Sequence, residues 1–367
     1  MNKRWIAAMA MLMPVLASAQ ILIGQTAGFT GPVAGGVREA SEGARLWIDA
    51  VNASGGISGQ KIEVVSLDDG FAPQRAAENA RKLIEEQHVV ALFLTRGTPH
   101  AEAILPLLES DGVPLIAPST GAMSLHVPLR KYVFNVRAPY QREAEKAVLH
   151  LATIGVRSVA VVHADDAFGL DAFEGAEKGF AKAKLQPVLV LKADRSKPDF
   201  SKIIPGLLQS NAQAVLWLGS GSSVADGVRA LRAAGSRSQV VTLSNNASAA
   251  FIKSLGENAR GVIVTQVFPD EHSIAFPLVK DAMKLAAAKG ITELSPAHLE
   301  GFAAARVLVE ALRRAGPKPN PEKIRAALET LRKFDVGGLQ LTFTPESHSG
   351  LDFADLSIIG SDGRFHR

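Results

Sequence analysis

The chain is 367 residues long, 47% hydrophobic and 21% charged, an ordinary globular composition with enough apolar material for two domains. Its formal net charge is +4, with basic and acidic residues interleaved along the chain, which excludes the clustered charge of a surface built for nucleic acid or for an acidic polymer. Cysteine is absent, so disulfides, thiol nucleophiles, thiolate metal ligands and lipid attachment through cysteine are excluded too.

At the N-terminus, Lys3 and Arg4 precede an apolar run from Trp5 to Leu16 that ends in Ala17, Ser18 and Ala19 before Gln20. This is the pattern of a secretory signal peptide, 1–19, with an A-x-A cleavage site. The apolar run is about a dozen residues, whereas a membrane span needs about 20. The expectation is export to a bacterial periplasm as a soluble, nearly neutral chain that starts at Gln20 and carries no lipid anchor.

From Gln20 onward, short apolar β-rich runs alternate with longer amphipathic ones. The strand ILIG (21–24) is followed by a helix over 36–53, the strand KIEVVSLDD (61–69), a helix over 73–87 and the strand VVALFL (89–94). A helix from Pro99 to Ser110, strands at 113–117 and 158–164 and a helix from Phe168 to Ala183 continue the alternation. Such alternation predicts βαβ units around parallel sheets, an α/β fold.

Two stretches repeat one pattern. VVALFL leads to the loop TRGTP (95–99), a helix, a strand and the loop PSTGA (118–122); QAVLWL leads to GSGSS (219–223), a helix, the strand QVVTL and the loop SNNAS (244–248). Similar loops at similar intervals predict two related lobes, each presenting polar loops at the carboxyl ends of its strands, the edge at which open α/β sheets bind ligands. Loops rich in Ser, Thr, Asn and Gly near helix N-termini supply hydroxyls and backbone N–H groups to a small anionic or polar ligand. Any one of them could equally be a capping turn, since Ser and Thr cap helices for stability alone.

Other chemistries find little support. GSGSS begins like a dinucleotide-binding turn, but Val224 stands where the third glycine belongs. No G-x-S-x-G elbow and no H-E-x-x-H pair is present. The adjacent carboxylates Asp68 and Asp69, and Asp165 and Asp166, sit at strand ends, where capping of the next helix is the commoner role. No catalytic residue, metal site or cofactor is therefore expected, and the protein reads as a binding protein rather than an enzyme.

The run from Ala27 to Phe93, and within it TGP (30–32), NASGGISGQKIE (52–63) and DDGFAPQRA (68–76), resembles the opening of leucine/isoleucine/valine-binding periplasmic receptors, the type I binding proteins of ABC importers. LIAPSTGA (115–122), YVFNVRAP (132–139) and HADDAFG (163–169) carry the similarity onward in order. The resemblance implies two doubly wound Rossmann-like lobes joined by a three-stranded hinge. Lobe one would comprise 20–138 and 267–345, and lobe two 139–266 and 346–367, with crossovers near Arg137–Tyr140, Thr265–Pro269 and Thr344–Ser349. It also implies a monomer that delivers a small-molecule ligand to an inner-membrane ABC permease and has no nucleic-acid partner. A sensor of the same fold reporting to a signalling partner is the alternative, and a secreted enzyme a more distant one.

Family binding positions carry over unevenly. The loop matching Thr95 serves the ligand carboxylate, and the loop matching Ser119, Thr120 and Gly121 serves the amino-acid head, although the family's head-group threonine falls on Gly121 here. Phe168 matches a cleft-lining aromatic that is a tyrosine elsewhere, and Ser220 matches another aromatic. Ser244 or Asn245 stands where the family carries the acid that neutralises the ligand ammonium. A buried ammonium without a carboxylate is costly, so the departure favours a carboxylate or neutral polar ligand unless Asp165 or Asp166 reaches in. Arg96, beside Thr95, could fork onto a carboxylate or point outward at its helix start. Tyr140, Phe29 and Phe71 are candidates to pack an apolar tail.

Overall fold

The computed structural model describes residues 20–367; the signal peptide read at 1–19 lies outside them. The chain runs β1 (Ile21–Ala27), α1 (Ala34–Ala53), β2 (Ile62–Asp68), α2 (Pro73–Arg81), β3 (Ala91–Phe93), α3 (Thr98–Asp111), β4 (Leu115–Ile116), β5 (Val133–Phe134). These strands form one parallel sheet in the order β2-β1-β3-β4-β5. Next come α4 (Tyr140–Thr153), β6 (Val159–Ala164), α5 (Ala167–Ala183), β7 (Leu189–Ala193), α6 (Phe200–Gln209), β8 (Ala214–Leu218), α7 (Gly221–Ala233), β9 (Gln239–Thr242), α8 (Ala249–Leu255) and β10 (Ile263–Gln266). Then follow α9 (Pro277–Ala288), α10 (Pro296–Ala315), α11 (Pro321–Leu328), a small hairpin of β11 (Phe334–Asp335) and β12 (Gln340–Leu341), and finally β13 (Asp355–Ile359) and β14 (Phe365–His366). The second sheet has the order β14-β13-β10-β9-β8-β6-β7, with β13 and β14 antiparallel at one edge.

The inner strands of each sheet are buried on both faces, which is why they read as near-continuous apolar runs, while the edge strands β2 and β7 stay partly exposed. On the first sheet, one core joins Leu46 and Ile48 of α1 to Phe302 and Leu308 of α10, and the other joins Leu92 to Leu83 and Ile104. The second sheet is covered by Val148 and Phe180 of α4 and α5 on one side and by Ile203, Val228 and Phe251 on the other. The α/β, two-lobed, doubly wound expectation is met. No helix among the described residues is long and apolar enough to cross a membrane.

Two strands are shorter than their apolar runs, for a reason that bears on function. Leu94 (φ 52°) and Ala117 (φ 51°) adopt left-handed backbone at the points where β3 and β4 end, a conformation that costs of order 1–3 kcal/mol for a non-glycine residue and clusters at ligand clamps. Both turn the chain out of the sheet into the 95–98 and 118–121 loops. The helix expected over 73–87 ends as α2 at Arg81 and widens into a π-turn over Lys82–Glu86.

The chain passes between the sheets after β5, after β10 and before β13. The first and third passages run side by side: Asn135 N donates to the His348 carbonyl (2.9 Å), Gly350 N to the Asn135 carbonyl (2.8 Å) and Leu351 N to the Val136 carbonyl (3.0 Å). The lobes are closed on one another. Ser222 N of α7 donates to the Pro32 carbonyl at 3.0 Å, and both carboxylate oxygens of Glu39 accept from the first amides of α8, Ala249 N (3.0 Å) and Ala250 N (2.8 Å). Gly221 permits this approach: its φ is +54°, and a Cβ there would sit 1.9 Å from the Pro32 oxygen. Gly221→Ala should therefore hold the lobes apart, weakening solute binding by about tenfold or more, which corresponds to ~1.4 kcal/mol of lost closure energy. Small-angle scattering of the variant with saturating solute should show a radius of gyration larger than that of the closed wild type.

Candidate ligand-binding site

The two loops launched by Leu94 and Ala117 are tied together. Ser119 N donates to the Thr95 carbonyl (2.8 Å), and Arg96 and Ser119 form an isolated parallel bridge. Arg96 turns inward and is buried. Its Nη1 donates to Ser119 Oγ (2.8 Å) and its Nη2 to the Asn245 carbonyl oxygen of the opposite lobe (2.5 Å). Ser119 Oγ in turn donates to Glu300 Oε1 of α10 at 2.7 Å. Thr95 is fully buried, yet among the described residues its hydroxyl has no hydrogen-bond partner, and the same holds for Asn245 Oδ1. Buried polar groups are nearly always paired, so these two oxygens beside Arg96 are candidate contacts for a polar ligand.

A cavity of about 200 Å³ opens beside Arg96. Arg96, Asn245 and Asn246 line it, together with residues of the first turns of α1 (Gly35, Gly36) and α7 (Gly221, Ser222). Neither helix has a side-chain cap at its N-terminus. Helix N-termini carry partial positive charge and favour an anion.

On the other side, Ser220 Oγ accepts from Nε (3.2 Å) and Nη2 (3.0 Å) of Arg195 and from the Asn245 side-chain amide (3.1 Å). Arg195 Nη1 pairs with Asp166 Oδ2 at 3.0 Å. Its guanidinium lies over the ring of Phe168 (4.6 Å) and over that of Phe71 from the opposite lobe (4.7 Å). Phe71 stacks against His100 with centroids 4.5 Å apart. Burial, with Arg195 adding to it, lowers the His100 pKa to about 4, so the ring backing Phe71 is neutral at physiological pH.

Behind these loops lies a buried charged cluster. Arg137, on the first passage between lobes, donates to Glu143 Oε1 (2.5 Å) and Ser244 Oγ (2.5 Å) and lies 3.5 Å from Glu300. Ser244 N donates to the other Glu143 oxygen at 2.9 Å, and the Thr265 hydroxyl also bonds it. Tyr140 packs its ring 4.7 Å from the Arg137 guanidinium.

Thr95, Arg96, Ser119, Phe168, Ser220, Ser244 and Asn245 thus converge on one buried region. Two expected residues are engaged elsewhere. The Thr120 hydroxyl bonds that of Thr98 (2.7 Å). Gly121 packs against the first passage, where a Cβ would lie 2.6 Å from the Ala138 oxygen, so a threonine could not stand there without moving that backbone. Neither Asp165 nor Asp166 is free for an ammonium: Asp165 is half exposed and pairs with Lys192, and Asp166 caps α5 through Gly169 N (3.0 Å) while holding Arg195. Sequence reasoning missed Arg195, Arg137, Glu143 and Glu300. Only Glu300 left a signal, a lone acid in the apolar stretch LEGFAAA of α10.

Asp69 supports the site from behind, accepting from Phe71 N (2.8 Å) and the Thr26 hydroxyl (3.1 Å). Burial raises its pKa to about 6. The folded state thus holds this proton more tightly than the unfolded chain, so the stability tied to the group is present below about pH 4 and is lost as pH rises through about 6. Asp69→Asn, which keeps an acceptor for Phe71 N, should melt higher than wild type at pH 7, with the difference shrinking as pH falls from 6 to 4. Melting curves across that range test the sign.

Two doubly wound lobes, closed over a polar pocket at their strand ends, define a two-lobed solute receptor. The chain belongs to the family described as periplasmic binding protein, whose model it matches over residues 20–352. It is 25% identical over 334 residues to Leu/Ile/Val-binding protein homolog 3 of Brucella melitensis biotype 1, covering 89% of this chain and 88% of that one. Among solved structures it is similar to a substrate-binding periplasmic protein (Pbp) from Ralstonia solanacearum, with 33% identity, TM-score 0.88 and coverage of 94% and 99% of the two chains. It is also similar to a possible leucine/isoleucine/valine-binding protein from Rhodopirellula baltica SH 1, with 27% identity, TM-score 0.87 and coverage of 95% and 97%. The family and these relatives are binding proteins.

Proposed function

We propose that this periplasmic binding protein captures a small carboxylate-bearing solute between its lobes and delivers it to an inner-membrane ABC permease. The observation that carries the ligand class is Arg96. Arg137 faces two carboxylates and Arg195 faces one, whereas the hydrogen bonds of Arg96 go to the neutral oxygens of Ser119 and Asn245. A buried guanidinium without a counter-charge is costly, and a ligand carboxylate accepting its forked donors removes that cost.

Thr95, Ser119 and Asn245 complete the anion end, Ser220 and Ser244 fix the arginines around it, and Phe168 with Phe71 forms the apolar wall. Thr120 and Gly121 shape the loop from behind. Glu143, Glu300 and Asp166 are already engaged by arginines, so an α-ammonium finds no free acid among the described residues around the site, which favours an organic acid over an amino acid. The names of the relatives support a solute of branched-chain amino-acid size. Lobe one is taken as 20–138 with 267–345 and lobe two as 139–266 with 346–367. The signal peptide 1–19 directs export, and the released chain works as a soluble monomer without catalysis, cofactor, metal or nucleic acid.

Thermal-shift screening of the chain from Gln20 against amino acids, deaminated carboxylates and amides tests the reading, because a solute bound only by the native state raises stability by RT ln(1 + [L]/Kd). Carboxylates should give the largest shifts.

A further inference from the structure

Arg195 stands on the loop after β7, a segment that no binding motif marks. Its side chain is 10% exposed, and it is held from its own lobe on three sides, by Asp166, by Ser220 and by the ring of Phe168. The fourth side meets the other lobe, where Phe71 presents its face at 4.7 Å. Phe71 is fixed too, stacked on neutral His100 and tied through its amide to Asp69. A guanidinium lodged between two aromatic faces, one from each lobe, can exist only while the cleft is shut. Of its five N–H donors, three are accounted for by Asp166 and Ser220, which leaves two.

The same closure brings the Arg195 guanidinium within electrostatic reach of Arg96. Closing an empty cleft therefore brings two buried cations together, Arg195 paired with Asp166 and Arg96 reaching Glu300 only through the Ser119 hydroxyl, and an anion between them reverses the sign of that interaction. Resting on the reading of the site as a carboxylate receptor, we propose that Arg195 couples anion capture to lobe closure. It donates to the solute carboxylate from the side opposite Arg96 and, once that charge is in place, docks on Phe71 to hold the lobes shut. The solute class that follows is a carboxylate lacking a neighbouring cation, and Arg195 is the specificity-determining residue of lobe two.

The test uses 4-methylpentanoate and its neutral amide, 4-methylpentanamide, as probes. Because the chain has no cysteine, spin labels can be placed at Gln74→Cys and Lys202→Cys, one in each lobe, to read closure directly. Wild type should bind the carboxylate at least tenfold more tightly than the amide and shift to short inter-label distances when it does. Arg195→Gln and Phe71→Leu should each speed carboxylate release tenfold or more and leave long distances populated at saturation. The double variant should be little worse than Arg195→Gln alone, because Phe71→Leu removes a contact that the arginine variant has already lost. Arg195→Lys should not rescue, since an ammonium lacks the planar fork that stacks and pairs at once. Carboxylate binding and closure left unchanged by Arg195→Gln, or fully additive losses in the double variant, would overturn the role of Arg195 and leave the receptor reading intact. A wild type that binds the amide as well as the acid, or binds neither, would contradict the carboxylate reading itself.

Discussion

Replacing Arg137 with alanine is expected to destabilise the protein by about 3–5 kcal/mol, the range for removing one partner from a buried ion pair. That is a large share of the ~5–15 kcal/mol by which domains are stable. The size follows from what remains. Glu143 is fully buried and Glu300 nearly so, and without the guanidinium each is left in a desolvated position at the junction of the lobes with its cation gone. Ser244 N and the Ser119 and Thr265 hydroxyls still donate to these carboxylates, but neutral donors do not replace a cation 2.5 Å away. Denaturant unfolding should show the loss as a lower midpoint with little change in slope. Combining Arg137→Met with Glu143→Gln and Glu300→Gln should recover much of it, because the cost arises from unpaired charge and not from lost volume. A triple variant no more stable than Arg137→Ala would place the cost in packing.

Arg96→Gln is expected to leave the fold intact and to weaken binding of a carboxylate solute by about 2–5 kcal/mol, the cost of truncating one partner of a buried charge pair. Each ~1.4 kcal/mol is tenfold in Kd, so the loss lies between about thirtyfold and several thousandfold. Among the described residues no carboxylate pairs directly with Arg96, so stability should change little and the effect should be confined to the ligand. Thr95→Ala, which removes one uncharged donor, should cost less, about 0.5–1.5 kcal/mol. Calorimetry on the two variants separates the charge from the hydroxyl. An Arg96→Gln protein that binds carboxylates as tightly as wild type would return Arg96 to the role of a bridge between lobes.

The fold was legible because its signals are local. Apolar runs ending in Gly, Ser and Thr mark parallel strands and the loops at their carboxyl ends, and the repeat of TRGTP–PSTGA in GSGSS–SNNAS marks two lobes with equivalent edges. The caution over strand-end acids was also sound, since Asp166 caps α5. What the pattern could not supply was direction. Whether Arg96 points inward depends on the Asn245 carbonyl of the other lobe, nearly 150 positions away. Arg195 is one basic residue in ADRSKPD, where a solvated loop is the ordinary reading. Its meaning arises only when residues 71, 166, 168 and 220 gather around it. The early ends of β3 and β4 were hidden too, because left-handed backbone at a leucine and an alanine has no signature in residue type.

On the proposed function the cleft holds a carboxylate and offers an ammonium no free acid among its described residues. Calorimetric titration of the wild-type chain from Gln20 with leucine and with 4-methyl-2-oxopentanoate, its deaminated analogue, tests it most directly. The oxo acid should bind at least tenfold more tightly than leucine. Submicromolar leucine binding, with the oxo acid weaker, would show that Glu300 or another acid is released from its arginine to meet the ammonium, and would contradict the account.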